Sequence, residues 1–561
     1  MIKQLFRTKS VQHILDEAEK GLLEGGHAAK LNRTLTVRDL TSFGIAAVIG
    51  AGIFSTIGAA AYDGGPGVIF LFIITAVTCG FTALCYAEFA SRVPVAGSAY
   101  TYSYVTFGEI VAWVIGWALI LEYAIGNIVV AISWSSYFNN LLEGFGLHLP
   151  VWLAIDYQTA RNQYMEAVQN GLPIDDLVWT LAPVIGGFKV VMNLPASVIV
   201  VLITILAYLG IKESKNSANM MVALKLIVLM VVVAVGVFYV NTDNWTPFMP
   251  NDFTGVLKGV SAVFFAYIGF DAISTTAEEC ENPKRDLPRA MIYSLIICTI
   301  IYVVTTLVIT GMVNYKEFQG VSDPLAYVFE KIQMKKLGYI ISFSAVVAAT
   351  SVLLVFQIGQ PRIWMSMSRD GLLPKKFASI HPKYHTPGFA TVITGVIVAL
   401  PALFIEGGIV TDLTSIGTLF AFVLVCGGVL LLPPKEKTES NKFHLPYING
   451  KWIVPVLLIL FIYFFSERIG NAMAHVGNEA HQEILFLIFV AIAAVMAVMT
   501  LLRNLSLIPI LGMMCCLYLM IEIPVKSWMV FFIWMGVGLS VYFLYGYRNS
   551  RLACGDSPGS K

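Results

Sequence analysis

Long runs of apolar residues, separated by short polar connections, recur along most of this chain. A helix that crosses a bilayer needs about 20 such residues, and most of the runs reach or approach that length. The pattern predicts about fourteen spanning helices, near 41–62, 67–91, 107–141, 195–211, 217–240, 255–280, 290–313, 337–367, 388–405, 411–432, 452–467, 484–502, 506–522 and 526–547. We therefore expect an all-α polytopic membrane protein, with a polar segment at 142–194 outside the bilayer.

Composition strengthens this interpretation. Hydrophobic residues make up 57% of the 561 residues and charged residues 13%, whereas soluble domains carry about 25% charged residues. So few charges cannot cover a soluble surface, which excludes a string of soluble domains. The formal net charge is +1, so no overall field attracts nucleic acid. We expect the lipid bilayer as the surroundings and no nucleic-acid partner, and the oligomeric state stays open.

Lysine and arginine in the connections give the orientation. They are more frequent on the side that holds the first forty residues, Arg92, Lys284 and Lys375 than on the opposite side, which favours a cytoplasmic position for both termini. The first forty residues lack an early apolar run, so no cleavable signal peptide is expected. The predicted organisation is a leader at 1–40, a core at 41–435, four additional helices at 436–547 and a cytoplasmic tail at 548–561. A bacterial inner or plasma membrane is the expected location.

Two of the predicted helices contain residues that weaken a helix at mid-membrane. The first carries Gly50 and Gly52, and the sixth carries Gly269 and Asp271. Close packing through small residues is the alternative explanation for the glycines, but a charge at mid-bilayer costs about 2.5–3.5 kcal/mol on insertion scales. Paired interruptions in corresponding helices predict an inverted five-helix repeat, 41–240 and 255–432, with a binding site at the midplane.

Such breaks suit a zwitterion, because each exposes unpaired backbone groups. The N–H groups of Ala51, Gly52 and Ile53 would begin a half-helix whose positive dipole end favours a carboxylate. An ammonium group would bind the opposing carbonyls, which belong to Val48, Ile49, Phe265, Ala266 and Ile268. The predicted side-chain walls are Phe270, Ser351, Val355 and Phe356. Because these walls are mostly apolar, they favour small or medium neutral amino acids over arginine and lysine.

Three charged residues lie inside predicted helices. Lys225 is eight residues into the fifth helix, about 12 Å deep at 1.5 Å per residue. It either snorkels to the interface or is buried, and a buried ammonium must be compensated or lose its proton. Glu122 and Asp271 either serve transport or act as structural hydrogen-bonding groups. For Asp271 we favour a scaffold role in the broken helix.

The motifs together resemble the amino acid–polyamine–organocation superfamily, and within it the cationic amino acid transporter branch. The matching runs are Gly50 to Phe54, Phe265 to Asp271, Asn282 to Pro288, Asn216 to Leu226, and Pro361 to Pro374. The resemblance covers about 40–435. It implies a ten-helix core of two inverted halves that works by alternating access on amino acids. It also implies that Lys225 stands in for a sodium ion at the junction of the first and eighth helices. If this lysine is buried and titrates near neutral pH, it can exchange a proton in each transport cycle.

Other classes of protein fit less well. All eight histidines lie in connections or tails, so the clustered groups that an intramembrane enzyme needs are missing. No cysteine pair has metal-ligand spacing, and no channel filter motif occurs. We therefore expect no cofactor and no metal. The preferred hypothesis is proton-coupled, sodium-independent uptake of an amino acid. The runner-up is a sodium-independent exchanger or facilitator of amino acids or polyamines, in which Lys225 is only a fixed charge.

Overall fold

The computed structural model describes residues 5–9, 35–50, 52–93, 98–210, 215–321, 323–384, 386–432, 443–474 and 481–552. This part of the chain is mostly helical. Its helices are α1 (Val37–Val48), α2 (Ile57–Gly64), α3 (Val68–Arg92), α4 (Ser98–Thr106), α5 (Glu109–Gly144), α6 (Tyr157–Gln169), α7 (Val178–Leu181), α8 (Leu194–Leu209), α9 (Lys215–Gly236), α10 (Asp252–Lys258), α11 (Val260–Phe265), α12 (Pro283–Met312), α13 (Pro324–Lys331), α14 (Lys335–Arg369), α15 (Gly388–Ala402), α16 (Gly407–Leu431), α17 (Ile453–Phe464), α18 (Ser466–Ala474), α19 (His481–Arg503), α20 (Leu507–Ile521), α21 (Val525–Val541) and α22 (Tyr547–Asn549).

The described residues contain eight helical segments that are long and apolar enough to cross a membrane. One further candidate is the pair α17 and α18, bent by 69° at its break. Four shorter apolar helices, of 10–17 residues, accompany them. Each apolar run predicted from the sequence coincides with helix in the structure. The polytopic helical membrane architecture expected from the sequence is therefore confirmed.

The long helices α5 and α14 pack along each other at the centre of the molecule, and α16 packs on α5. In a second group of helices, α12 packs against α3 and α1. The two broken helices lie between these groups, since α1 contacts α9, α12, α14 and the helical turn that follows α11. The fold therefore places both breaks within one well-packed core.

The polar segment 142–194 contains two short helices, α6 and α7. It also forms a two-stranded antiparallel hairpin of β1 (Val184–Ile185) and β2 (Phe188–Lys189), which the sequence did not predict. The Asp156 side chain caps α6 by accepting from the Thr159 N–H at 2.8 Å, as is usual for a helix start.

The connection between α12 and α14 contains Asp323, directly before α13. Burial, and next the neighbouring Glu330 carboxylate, raise the pKa of Asp323 to about 7. The Glu143 carboxylate adds to this shift. This group therefore changes its charge close to neutral pH.

Candidate functional site

The first break begins where the regular hydrogen bonds of α1 end. The Ile49 N–H still donates to the Ile45 carbonyl at 2.9 Å, but the Ile49 backbone is extended. Helix resumes as a π-type turn over Gly52–Thr56. The Thr56 hydroxyl donates to the Gly52 carbonyl (2.8 Å) and reaches the Ala262 carbonyl at 2.9 Å. Ala51 lies outside the described residues, so its predicted role stays a prediction.

The second break follows α11. Helix α11 ends at Phe265. Four residues later, Gly269 has a φ of +114°, a left-handed conformation that glycine adopts without a steric penalty. A Cβ at Gly269 would lie 2.9 Å from the Cβ of Ala47, so this position also needs glycine for close approach to α1. A 3-10 helix over Phe270–Glu279 then continues the span.

The two breaks face each other and touch. A Cβ at Gly52 would lie 2.3 Å from the Cα of Ala266, so the backbones meet with no room for a side chain. The hydroxyl of Tyr302, on α12, lies 2.9 Å from the Val48 carbonyl and 2.8 Å from the Ala266 carbonyl. One fully buried phenol therefore bridges both breaks.

A small cavity adjoins this contact. It is lined by Ala47, Val48, Gly50, Gly52, Val130, Phe265, Ile268, Val352 and Phe356. Among these lining residues none has a charged side chain, so polar recognition falls to backbone groups. A Cβ at Gly50 would lie 2.5 Å from Val352 Cγ2, which shows how tightly α14 closes on the first break.

Six of the predicted binding residues line this cavity: Val48, Gly50, Gly52, Phe265, Ile268 and Phe356. Ile49, Ile53, Ala266 and Ser351 are buried beside it without lining it. Phe270 points elsewhere: its ring contacts those of Tyr86 and Phe422, with centroids 6.2 and 5.3 Å apart. Val355, the remaining predicted wall residue, is half-buried.

Several of the predicted ammonium acceptors already have partners. The Val48 and Ala266 carbonyls lie within hydrogen-bonding distance of the Tyr302 hydroxyl. The Phe265 carbonyl accepts a hydrogen bond from the Ile268 N–H at 3.2 Å. A carbonyl oxygen has two lone pairs, so each can accept a second donor. Sequence reasoning missed Tyr302, Val130 and Val352, because each is an ordinary apolar or aromatic residue within an apolar helix.

Lys225 is fully buried on α9, between the first break and α14. Its ammonium nitrogen lies 2.9 Å from the Ala46 carbonyl, 2.8 Å from the Ile49 carbonyl and 3.3 Å from the Ser351 hydroxyl. Ser351 in turn donates to the Ala348 carbonyl at 2.7 Å. These oxygen acceptors are of the kind that a sodium ion uses, and here they surround a lysine instead.

Glu122 and Asp271 are both buried, and they lie close enough for their charges to interact. Each has one carboxylate oxygen without a hydrogen-bond partner among the described residues. The scaffold role expected for Asp271 stays a prediction.

Comparison with known proteins gives consistent matches. A family model described as "Amino acid permease" matches residues 35–494, and a model of the C-terminus of that family matches residues 505–550. The branched-chain amino acid permease BcaP of Bacillus subtilis is 38% identical over 98% of this chain and 99% of its own length. A methylthioribose transporter of the same organism is 36% identical over 98% and 100%. The vacuolar cationic amino acid transporter 2 of Arabidopsis thaliana is 32% identical over 94% and 91%.

Proposed function

The chain belongs to the amino acid permease family, and on this basis we propose that it takes up small or medium neutral amino acids together with protons and independently of sodium. Its family and relatives are transporters, so the intramembrane enzyme considered from the sequence is excluded. Amino acid transport itself follows from the family. We propose the identity of the substrate, the coupling ion and the inverted-repeat architecture that supports alternating access.

The environment of Lys225 is the observation that supports coupling to protons. Its three oxygen acceptors belong to α1 (Ala46), to the first break (Ile49) and to α14 (Ser351). A protonated lysine joins these helices to α9, and a neutral lysine loses the charge-assisted part of each hydrogen bond. Losing the proton would therefore loosen the joint and allow the helices to separate. Because the ammonium occupies the position of a cation, sodium is not required.

The apolar cavity supports a neutral substrate. Val130, Val352 and Phe356 would contact its side chain, and Gly52 with Ile53 would hold its carboxylate at the start of the second half-helix. An arginine or lysine side chain would have no carboxylate among the lining residues to pair with. The relative named for branched-chain amino acids points the same way, toward valine, leucine and isoleucine.

The architecture we propose is the inverted repeat, residues 41–240 and 255–432, followed by four additional helices at 436–547. The 56-residue run Val37–Arg92 is long enough for two crossings. With that run counted twice, the long segments, the bent pair and the four shorter helices together make fourteen. The breaks occupy the first helix of each half, as alternating access around a fixed site requires. Both termini would face the cytoplasm of a bacterial cell.

One observation also favours the runner-up, a sodium-independent exchanger. Three acceptors satisfy all three donors of a lysine ammonium, so Lys225 would be stable as a permanent charge. In that case the protein would exchange or equilibrate its substrate and would not use the proton gradient.

Uptake by the purified protein in proteoliposomes separates these mechanisms. An inward proton gradient should drive accumulation of labelled leucine above equilibrium, and replacing sodium with potassium should change nothing. Alanine and serine should compete with leucine, whereas arginine should not. A sodium requirement would overturn the coupling. Counterflow that is unaffected by the proton gradient would establish the exchanger, and uptake of arginine alone would overturn the substrate class.

A further inference from the structure

Two carboxylates outside the substrate site, those of Glu109 and Asp370, bring together segments from the beginning, middle and end of the chain. Asp370 directly follows α14, and its carboxylate accepts hydrogen bonds from the Lys9 ammonium and the Tyr100 hydroxyl, both at 2.5 Å. Glu109 begins α5, and its carboxylate accepts from three hydroxyls. These belong to Tyr104 (3.0 Å), Tyr542 (2.9 Å) and Ser550 (2.5 Å).

Main-chain hydrogen bonds attach both terminal segments to the same place. The Glu109 N–H donates to the Arg7 carbonyl at 3.0 Å, and the Arg551 N–H donates to the Asp370 carbonyl at 3.1 Å. Each carboxylate residue therefore binds a chain end through its backbone as well as through its side chain.

Two glycines make this close approach sterically feasible. Gly108 has a φ of +95°, and a Cβ there would lie 2.6 Å from the carbonyl carbon of Phe6. Gly371 has a φ of +82°, and a Cβ there would lie 2.2 Å from the carbonyl oxygen of Asn549. Any other residue would be strained at either position and would also push a terminal segment away.

Burial makes these contacts strongly interdependent. The side chains of Lys9 and Asp370 are only 4% and 14% exposed, and Glu109 is 1% exposed. Removing one partner of a buried ion pair leaves an uncompensated charge, so a single substitution disrupts such a pair strongly. Burial, followed by the Asp370 and Glu109 carboxylates, raises the pKa of Tyr104, which keeps its hydroxyl protonated as a donor.

The helices that these contacts hold together include two that line the cavity beside the helix breaks. Val352 and Phe356 lie on α14, and Val130 lies on α5. We propose that residues 5–9 and 542–551, seated on Glu109 and Asp370, form a clasp that holds α4, α5 and α14 together. The clasp biases the carrier toward the conformation closed at this end, and it releases when this end opens to the cytoplasm. The proposal uses the cytoplasmic orientation of the termini and depends on neither the substrate nor the coupling ion.

Accessibility of a buried reporter measures this release directly. Ser103 lies on α4 and is 2% exposed, so a cysteine in its place (Ser103→Cys) reports opening at this end. The background substitution Cys554→Ser removes the thiol of the tail. The full chain is labelled in inside-out vesicles with a membrane-impermeant maleimide. Lys9→Met should raise the initial labelling rate at least about fivefold, the lower end of common coupling effects.

The matched control is Lys331→Met, because Lys331 pairs with Glu317 at the same 2.5 Å but is 52% exposed. This control should leave the labelling rate unchanged. Lys9→Met and Asp370→Asn both remove the Lys9–Asp370 pair, so their combined effect on the labelling rate should be smaller than the product of the two single effects. Ser550→Ala removes only a hydroxyl and should raise labelling by a smaller factor, so it decides the question if Lys9→Met fails to fold. Unchanged labelling in folded Lys9→Met, or in Ser550→Ala where Lys9→Met does not fold, would overturn the clasp.

Discussion

Replacing Tyr302 with phenylalanine tests whether the two helix breaks depend on a shared hydrogen-bonding group. Its hydroxyl is 2.9 Å from the Val48 carbonyl and 2.8 Å from the Ala266 carbonyl, and the side chain is fully buried. Since a phenol has one proton, the substitution removes about one full hydrogen bond and leaves two buried carbonyls short of a donor. A net hydrogen bond contributes about 0.5–1.5 kcal/mol, and a stranded buried group costs about 1–3 kcal/mol.

We therefore expect Tyr302→Phe to lower the free energy of unfolding by about 1–2 kcal/mol, a factor of about 5–30 in the ratio of folded to unfolded protein. The matched control is Tyr86→Phe, because Tyr86 is equally buried but its hydroxyl has no partner among the described residues. Thermal unfolding in detergent should show a lower midpoint for Tyr302→Phe and no loss for Tyr86→Phe. Uptake should fall only in the first variant. Equal midpoints and equal uptake would refute the bridging role.

Three further outcomes follow from the same geometry. Gly52→Leu should abolish uptake although the protein still folds and inserts, because a Cβ at position 52 has no space. The control Gly536→Leu should be harmless, because nothing lies within 4 Å of a Cβ at that position. Normal uptake by Gly52→Leu would rule out the site. Val130→Phe should reduce uptake of leucine about 10-fold or more relative to alanine, and an equal loss for both substrates would show that Val130 does not contact the side chain. With its pKa near 7, Asp323 keeps its proton in the folded state at pH values where the unfolded chain loses it, so stability should fall as pH rises from about 4 to 7. Asp323→Asn should flatten that part of the pH profile of thermal stability, and an unchanged profile would contradict the assignment.

The sequence was informative wherever a residue conflicted with its expected surroundings. Glycines and an aspartate inside apolar runs indicated both breaks, and Lys225 inside another apolar run indicated a buried charge. These signals are strong because a bilayer penalises polar groups and unpaired backbone.

Residues that match their surroundings gave no such signal. Tyr302 is an aromatic residue in an apolar helix, and only the folded geometry shows that its hydroxyl reaches two breaks. Phe270 was expected at the pocket, but side-chain direction in a distorted helix depends on local dihedral angles, and its ring packs against Tyr86 and Phe422. Lys9 was one charge among many in a polar leader, and its partner Asp370 is 361 positions away.

Gradient-driven uptake by Lys225→Ala tests whether Lys225 couples transport to protons. Purified Lys225→Ala and the control Lys258→Ala, which removes an exposed lysine, are reconstituted into proteoliposomes with imposed proton or sodium gradients. Substrate binding to each variant is measured in parallel. We expect Lys225→Ala to lose proton-driven accumulation but to retain most of its substrate binding, whereas Lys258→Ala should behave like the parent protein. Undiminished proton-driven accumulation by Lys225→Ala, or pronounced sodium dependence of the parent protein, would contradict this coupling.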